Sequence, residues 1–318
     1  MTNLLHAALR FSRTARARRF ANVAGAAVSL AVAALAGRWF ARVGFPLAGA
    51  DAELTLAAGG CFVLAAATKA FGWSRLFAAS HRPRAEMLAA AGGAAALAGI
   101  ALPGRFDDAL RVAVVRRFAD SSATVGAIAL SLFTLGLVDT TAMTPLASTA
   151  AASSGSVPLR VGLALVAAAG VGAAAFLLAL PHLAGSARFA RFRLSRWLHA
   201  QWPSTRQSAL SLGSVLAAWL TRCAGMYLLL VALGLHISFV LAMVFMCAGA
   251  AAAALPVAPA GAVTQVGAGA SVLLAAGVSL SEALTFAVAA QLVTMMVNAA
   301  LLLAVGGVTL ARRLRPAV

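Results

Sequence analysis

The chain has 318 residues, 62% of them hydrophobic and 10% charged, with a mean hydropathy of +0.94. No soluble domain carries that balance, because several apolar runs reach the ~20 residues needed to cross ~30 Å of hydrocarbon. The formal net charge of +17, from 25 basic and 8 acidic residues, then points to loops against anionic lipid rather than to nucleic acid.

Residues 1–20 carry Arg10, Arg13, Arg16, Arg18 and Arg19 without an acid. The charged stretch is too long for a signal peptide, and it reads as a basic cytoplasmic tail. Ala21 to Gly37 is the first expected span, with Arg38 and Arg42 at its far end near Asp51 and Glu53. Leu54 to Ala67 returns the chain, and Lys69, Arg75, Arg82 and Arg84 mark the cytoplasm again, with Trp39 and Trp73 at interface positions. Ala85 to Ala101 and Arg105 to Phe118 form a broken pair. Thr124 to Met143 crosses outward, Ser148 to Val157 is an outer loop, and Val161 to Leu180 crosses back. Residues 182–207 hold Arg188, Arg191, Arg193, Arg196 and Arg206 interleaved with Phe189, Phe192, Trp197 and Trp202. Such a segment, centred on 186–206, reads as an interfacial helix on anionic headgroups. Leu210 to Leu233 crosses outward, 237–255 and 261–278 form a second broken pair, and Phe286 to Thr309 crosses inward to a basic tail at 311–318. The expected fold is all-α, a polytopic transmembrane bundle. Residues 21–310 form a single membrane domain whose halves, about 21–181 and 208–310, are joined by the loop 182–207.

Two prolyl breaks organise this reading. Leu102-Pro103-Gly104-Arg105 follows one Ala/Gly-rich run, and Leu255-Pro256-Val257-Ala258-Pro259 follows another. Proline removes a helical donor and disfavours helix before it. In hydrocarbon the freed carbonyls survive only within protein or beside a cavity. Pro103 and Pro256 are 153 residues apart, close to half the chain. If each broken pair dips in and returns, every Arg-dense loop lies on one side, and the two pairs enter from opposite sides. That is the pattern of an inverted repeat with a substrate site near its broken helices. Both prolines are expected at depth beside a common polar cavity.

Polar groups inside spans are costly and mark candidate sites. The candidates for binding substrate are Arg105, Arg111, Arg222, Asp139, Pro103, Pro256, Pro259, Gln265 and Asn298. Asp107 and Arg111 can pair along a helix. For Arg222 two readings stand: a headgroup site gripping phosphate through its fork, or a staple to Asp139. Gln265 and Asn298 also fit helix-packing hydrogen bonds. His6, His81, His182, His199 and His236 are scattered, and Cys61, Cys223 and Cys247 lack ligand spacing. No metal, cofactor or catalytic constellation is expected.

The second half resembles the flippase-like membrane domain of bacterial lysylphosphatidylglycerol synthases and their stand-alone relatives. The resemblance rests on Ala232-Leu233-Gly234-Leu235-His236-Ile237-Ser238-Phe239, on Leu255-Pro256-Val257-Ala258-Pro259-Ala260-Gly261, and on a long final helix. In the first half Leu102-Pro103-Gly104-Arg105 with Arg111 is similar to that family's proline–arginine element, and Ala129 to Asp139 to its next helix. The family often carries Glu-Arg where this chain has Leu135-Gly136, and an acid follows its second proline element where this chain has Val263-Thr264-Gln265-Val266. The resemblance implies a transporter-like protein of the bacterial cytoplasmic membrane, both termini inside. It would translocate or handle a phospholipid or lipid-linked glycan. The rival readings are a membrane scaffold for a lipid-modifying or glycan-assembly enzyme, and a membrane-embedded transferase.

Overall fold

The computed structural model describes residues 38, 44–101, 106–118, 123–185, 192–235, 238–254 and 261–314, and these are helical with no strand. The expected first span at Ala21 to Gly37 and the four residues Pro103, Arg105, Pro256 and Pro259 lie outside them. In chain order the helices are α1 (Ala52–Ser74), α2 (Ala85–Ala101), α3 (Phe106–Phe118), α4 (Val125–Ser153), α5 (Val157–Gly185), α6 (Arg193–Gln201), α7 (Thr205–Ala232), α8 (Phe239–Ala254), α9 (Gly261–Ala275) and α10 (Leu280–Leu314). Five of them, α1, α4, α5, α7 and α10, are long and apolar enough to cross a membrane. The 17 residues of α2 span about 25 Å at 1.5 Å per residue, short of ~30 Å of hydrocarbon. The helices α3, α8 and α9 are shorter still.

The spans are longer than their apolar runs. Helix α4 continues past Met143 and through Pro145 to Ser153, leaving only residues 154–156 as the connection to α5. Its polar residues bond backwards within the helix: Thr140 to Gly136 O, Thr141 to Leu137 O, Thr149 to Pro145 O and Ser153 to Thr149 O. A hydroxyl satisfied on the preceding turn does not have to leave the helix.

The centre of the molecule is the α1–α7 pair, antiparallel along its length. The Asp51 N–H donates to Ala232 O at 2.9 Å, tying the start of α1 to the end of α7. Two glycines bring the backbones together, and their surroundings are copies of one another. A Cβ on Gly72 would meet Ser211 O, Ser214 Cβ and Val215 Cγ2 at 3.1–3.2 Å. A Cβ on Gly225 would meet Ala58 O, Cys61 Cβ and Phe62 Cε1 at 3.0–3.2 Å. Each of these four pairs (Gly72 and Gly225, Ala58 and Ser211, Cys61 and Ser214, Phe62 and Val215) is separated by 153 residues, the spacing of Pro103 and Pro256. The same shift carries the N-cap Asp51, which accepts from Leu54 N, onto the N-cap Ser204, which accepts from Gln207 N.

Helix neighbours repeat in the same way, with α1, α2, α3 and α4 answering to α7, α8, α9 and α10. Contacts α1–α2, α2–α3, α3–α4, α2–α10, α4–α7 and α1–α4 are matched by α7–α8, α8–α9, α9–α10, α8–α4, α10–α1 and α7–α10. Because the equivalent helices α1 and α7 run antiparallel, the halves are related by a two-fold axis perpendicular to the spans. The fold is therefore an inverted repeat of four helices, with α5 and α6 inserted between the halves. The broken pairs α2–α3 and α8–α9 enter from opposite ends of the bundle, and α2 touches α9.

Charge is divided between the two ends. One end holds Arg75, Arg82 and Arg84 after α1, Arg116 and Arg117 closing α3, and the helix α6 with Arg196. There a Cβ on Gly126, at the start of α4, would lie 3.1 Å from the Trp197 ring. The other end holds Asp51, Glu53, Glu282 and Arg160, whose guanidinium donates to Ser154 O at 2.9 Å and so caps α4. The expected interfacial helix is α6 within 186–206. Trp73, expected at an interface, is instead 3% exposed and donates through Nε1 to Ser131 Oγ on α4 at 3.0 Å.

Candidate functional site

A cluster of ionisable groups crosses the α1–α7 pair at the middle of α4. Asp139 is the central residue of α4, not an end residue as its position in Thr124 to Met143 implied. One carboxylate oxygen, Oδ2, accepts from Lys69 Nζ at 2.8 Å, and the other, Oδ1, accepts from Trp219 Nε1 at 2.8 Å. Lys69 lies within α1, and Trp219 is near the centre of α7. The carboxylate thus joins three helices through one ion pair and one charge-assisted hydrogen bond, the stronger class of such bonds.

Arg222 stands one turn along α7 from Trp219. Its guanidinium carbon lies 5.9 Å from the Trp219 ring centroid, and Lys69 Nζ lies 5.5 Å from the same centroid. One half-buried indole is therefore flanked by two cations, each within range of an attractive interaction with an aromatic ring. Among the described residues Arg222 has no carboxylate within salt-bridge distance, because both oxygens of Asp139 are engaged elsewhere. The Arg222–Asp139 staple is thus replaced by a Lys69–Asp139 pair. Two cations and one acid leave the cluster with a surplus positive charge inside membrane-length helices.

The other sequence candidates sit apart from this cluster. Arg111 is held on α3 by Asp108 at 2.8 Å and Asp107 at 3.5 Å, so its charge is answered locally. Asn298 donates from Nδ2 to Thr294 O within α10, and its backbone oxygen would lie 3.0 Å from a Cβ on Gly93 of α2, where the two helices press together. Gln265 is on α9, with its side chain outside the described residues.

Lys69 and Trp219 are the residues that the sequence reading missed. Its place after an apolar run reads as a membrane boundary, but Lys69 reaches Asp139 instead. The signal for it was present: Lys69 lies 153 residues before Arg222, the shift that separates the two prolyl breaks. A tryptophan in mid-span also needs a partner for its N–H, and Asp139 supplies it.

At the Arg-rich end, Arg75 and Arg82 flank the turn after α1. The Nε atoms of both are buried without a hydrogen-bond partner among the described residues, and Arg75 lies over the Phe71 ring at 4.3 Å. Burial first, and the neighbouring Arg75 second, lower the pKa of Arg82 from its ordinary value.

A bundle of five membrane-length apolar helices with paired short helices between them defines a multi-pass α-helical membrane protein. The model of the family described as "Lysylphosphatidylglycerol synthase TM region" matches residues 22–301, and the chain belongs to that family. No curated protein matches the chain, and no solved structure does.

Proposed function

We propose that this protein is a flippase-like membrane protein that translocates or handles an anionic lipid or lipid-linked glycan across the cytoplasmic membrane. The observation that carries this reading is the surplus positive charge at Lys69, Asp139, Trp219 and Arg222. Ionisable groups at such depth are costly, and they are typical of pathways for charged cargo. Among the described residues Arg222 is the cation of this cluster without an ion pair, and its planar fork matches a phosphate. The inverted repeat supports the same reading, since halves of opposite orientation can present one central site to either side in turn. Membership of the family supports a lipid as the cargo.

The end carrying Arg75, Arg82, Arg116, Arg117 and α6 is placed in the cytoplasm, following the excess of arginine there. With the expected span at Ala21 to Gly37 crossing once, we also infer that both chain termini lie inside. The helix α6 would rest on anionic headgroups of the inner leaflet. The direct test is reconstitution of the purified protein, with no other component, into liposomes holding fluorescent phosphatidylglycerol. Inner-leaflet label becoming accessible to an impermeant reductant supports transport. Label staying protected, as in protein-free liposomes, favours a scaffold for another membrane enzyme.

A further inference from the structure

The 153-residue shift that superimposes the two halves carries Lys69 of α1 onto Arg222 of α7. These cations are thus equivalent positions of an inverted repeat, one on each side of the two-fold axis between α1 and α7. Their surroundings differ in one respect. Asp139 binds Lys69 at 2.8 Å and leaves Arg222 unpaired among the described residues. No second acid restores the symmetry, since the position equivalent to Asp139 is Leu292, and the position equivalent to Trp219 is Ala66. Two equivalent cations therefore share one carboxylate and one indole, with their charged groups 5.5 and 5.9 Å from that ring's centroid.

We propose that Lys69 and Arg222 are two equivalent stations for the phosphate of one anionic headgroup, and that Asp139 closes whichever station the headgroup leaves. In the present arrangement Asp139 binds Lys69 and makes no ion pair with Arg222, which is left to take the phosphate. Exchange of the halves across the two-fold brings the opposite arrangement, in which Asp139 turns to Arg222 and Lys69 is open. The acid keeps the site from holding two anions at once. It also competes the phosphate away from the station it is leaving, because carboxylate and phosphate seek the same donors. Asp139 is thus a positioning residue, and Lys69 a binding residue in addition to Arg222. This rests on the transport reading above for the direction of movement; the Lys69–Asp139 pair and the equivalence of Lys69 and Arg222 are read from the structure and the repeat.

The test measures phosphatidylglycerol retained by the detergent-purified protein, read by native mass spectrometry, with movement in liposomes measured beside it. Lys69→Gln frees Asp139 to close on Arg222, and retention falls about tenfold, the loss expected for one charge-assisted contact. Lys69→Gln combined with Asp139→Asn removes the competitor as well. Retention then returns to the wild-type level or above, while movement stays abolished because one station is gone. Because deleting a neutral pair would also relieve a folding defect, the unfolding midpoint of each variant is measured beside retention, and a loss of retention in Lys69→Gln that merely tracks unfolding overturns the proposal. Equal retention in all three proteins, or failure of the double variant to recover, overturns the proposal. If the retention order holds and wild type moves no lipid, the transport reading fails and the stations stand. If wild type moves lipid while retention is indifferent to these changes, the stations fail and transport stands.

Discussion

Asp139→Asn removes the one acid that answers Lys69 and leaves the ammonium without a partner. A lysine at the centre of a membrane helix costs ~2.5–3.5 kcal/mol on insertion scales. Lys69 is nearer to a helix end than that. From Lys69 to Ser74, the last residue of α1, the rise is about 7.5 Å. A lysine stem covers much of that distance, so part of the cost is relieved by snorkelling. The side chains of Lys69 and Asp139 are also 39% and 27% exposed, so the pair is not sealed. The Trp219 N–H keeps an acceptor in the substituted amide oxygen. The expected loss is therefore about 1.5–3 kcal/mol, below the 3–5 of a fully buried pair. Reversible unfolding in mixed micelles measures it. Lys69→Met with Asp139→Asn should cost less than Asp139→Asn alone, giving a coupling energy of about 1 kcal/mol or more in a double-mutant cycle. A loss within ~0.5 kcal/mol of wild type for Asp139→Asn, or strict additivity of the two changes, would refute the idea that this pair holds α1 to α4.

Further outcomes follow from the packing and the charge distribution. Gly72→Val and Gly225→Val should destabilise by similar amounts, about 1–3 kcal/mol each, because each would press a side chain onto the carbonyl of the equivalent residue, Ser211 or Ala58. Gly136→Ala meets nothing within 4 Å and should be neutral or stabilising by up to ~1 kcal/mol. Unfolding in the same micelles tests all three. Trp73→Phe should cost about 1 kcal/mol through loss of the bond to Ser131, seen as a lower midpoint. A cysteine at position 196, on a background without the three native cysteines, should label with an impermeant reagent only after cells are permeabilised. Labelling in intact cells would reverse the assigned orientation.

Much of this architecture is legible in the sequence, for identifiable reasons. Helix α2 begins at Ala85, where its apolar run begins, and its described residues reach Ala101. The opposite entry of the two broken pairs could be read from arginine placement alone. The extent of α4 could not. Pro145 and a run of threonines look like an approaching loop, but the hydroxyls of Thr140, Thr141 and Thr149 are satisfied within the helix and the segment packs on α5. That contact is close, since a Cβ at Gly170 would overlap Thr144 Oγ1. The partner of Asp139 was also hidden. Arg222 was the nearer choice by depth, and nothing local at Lys69 distinguishes a buried pair from a boundary lysine. The repeat spacing does distinguish it, because it assigns Lys69 the same place in its half as Arg222. Trp73 misled for a related reason: tryptophan at the end of a span favours an interface on average, while here its N–H is taken up by Ser131 in the core.

The measurement that bears most directly on the central claim compares wild type with Arg222→Gln in liposomes carrying fluorescent phosphatidylglycerol. The unfolding midpoints of both proteins are measured first; among the described residues Arg222 makes no ion pair, so its removal should shift the midpoint little. Wild type should expose the inner-leaflet label to an impermeant reductant, and Arg222→Gln should leave it protected, with Arg222→Lys between them for want of the fork. Movement by Arg222→Gln at the wild-type rate would contradict this claim.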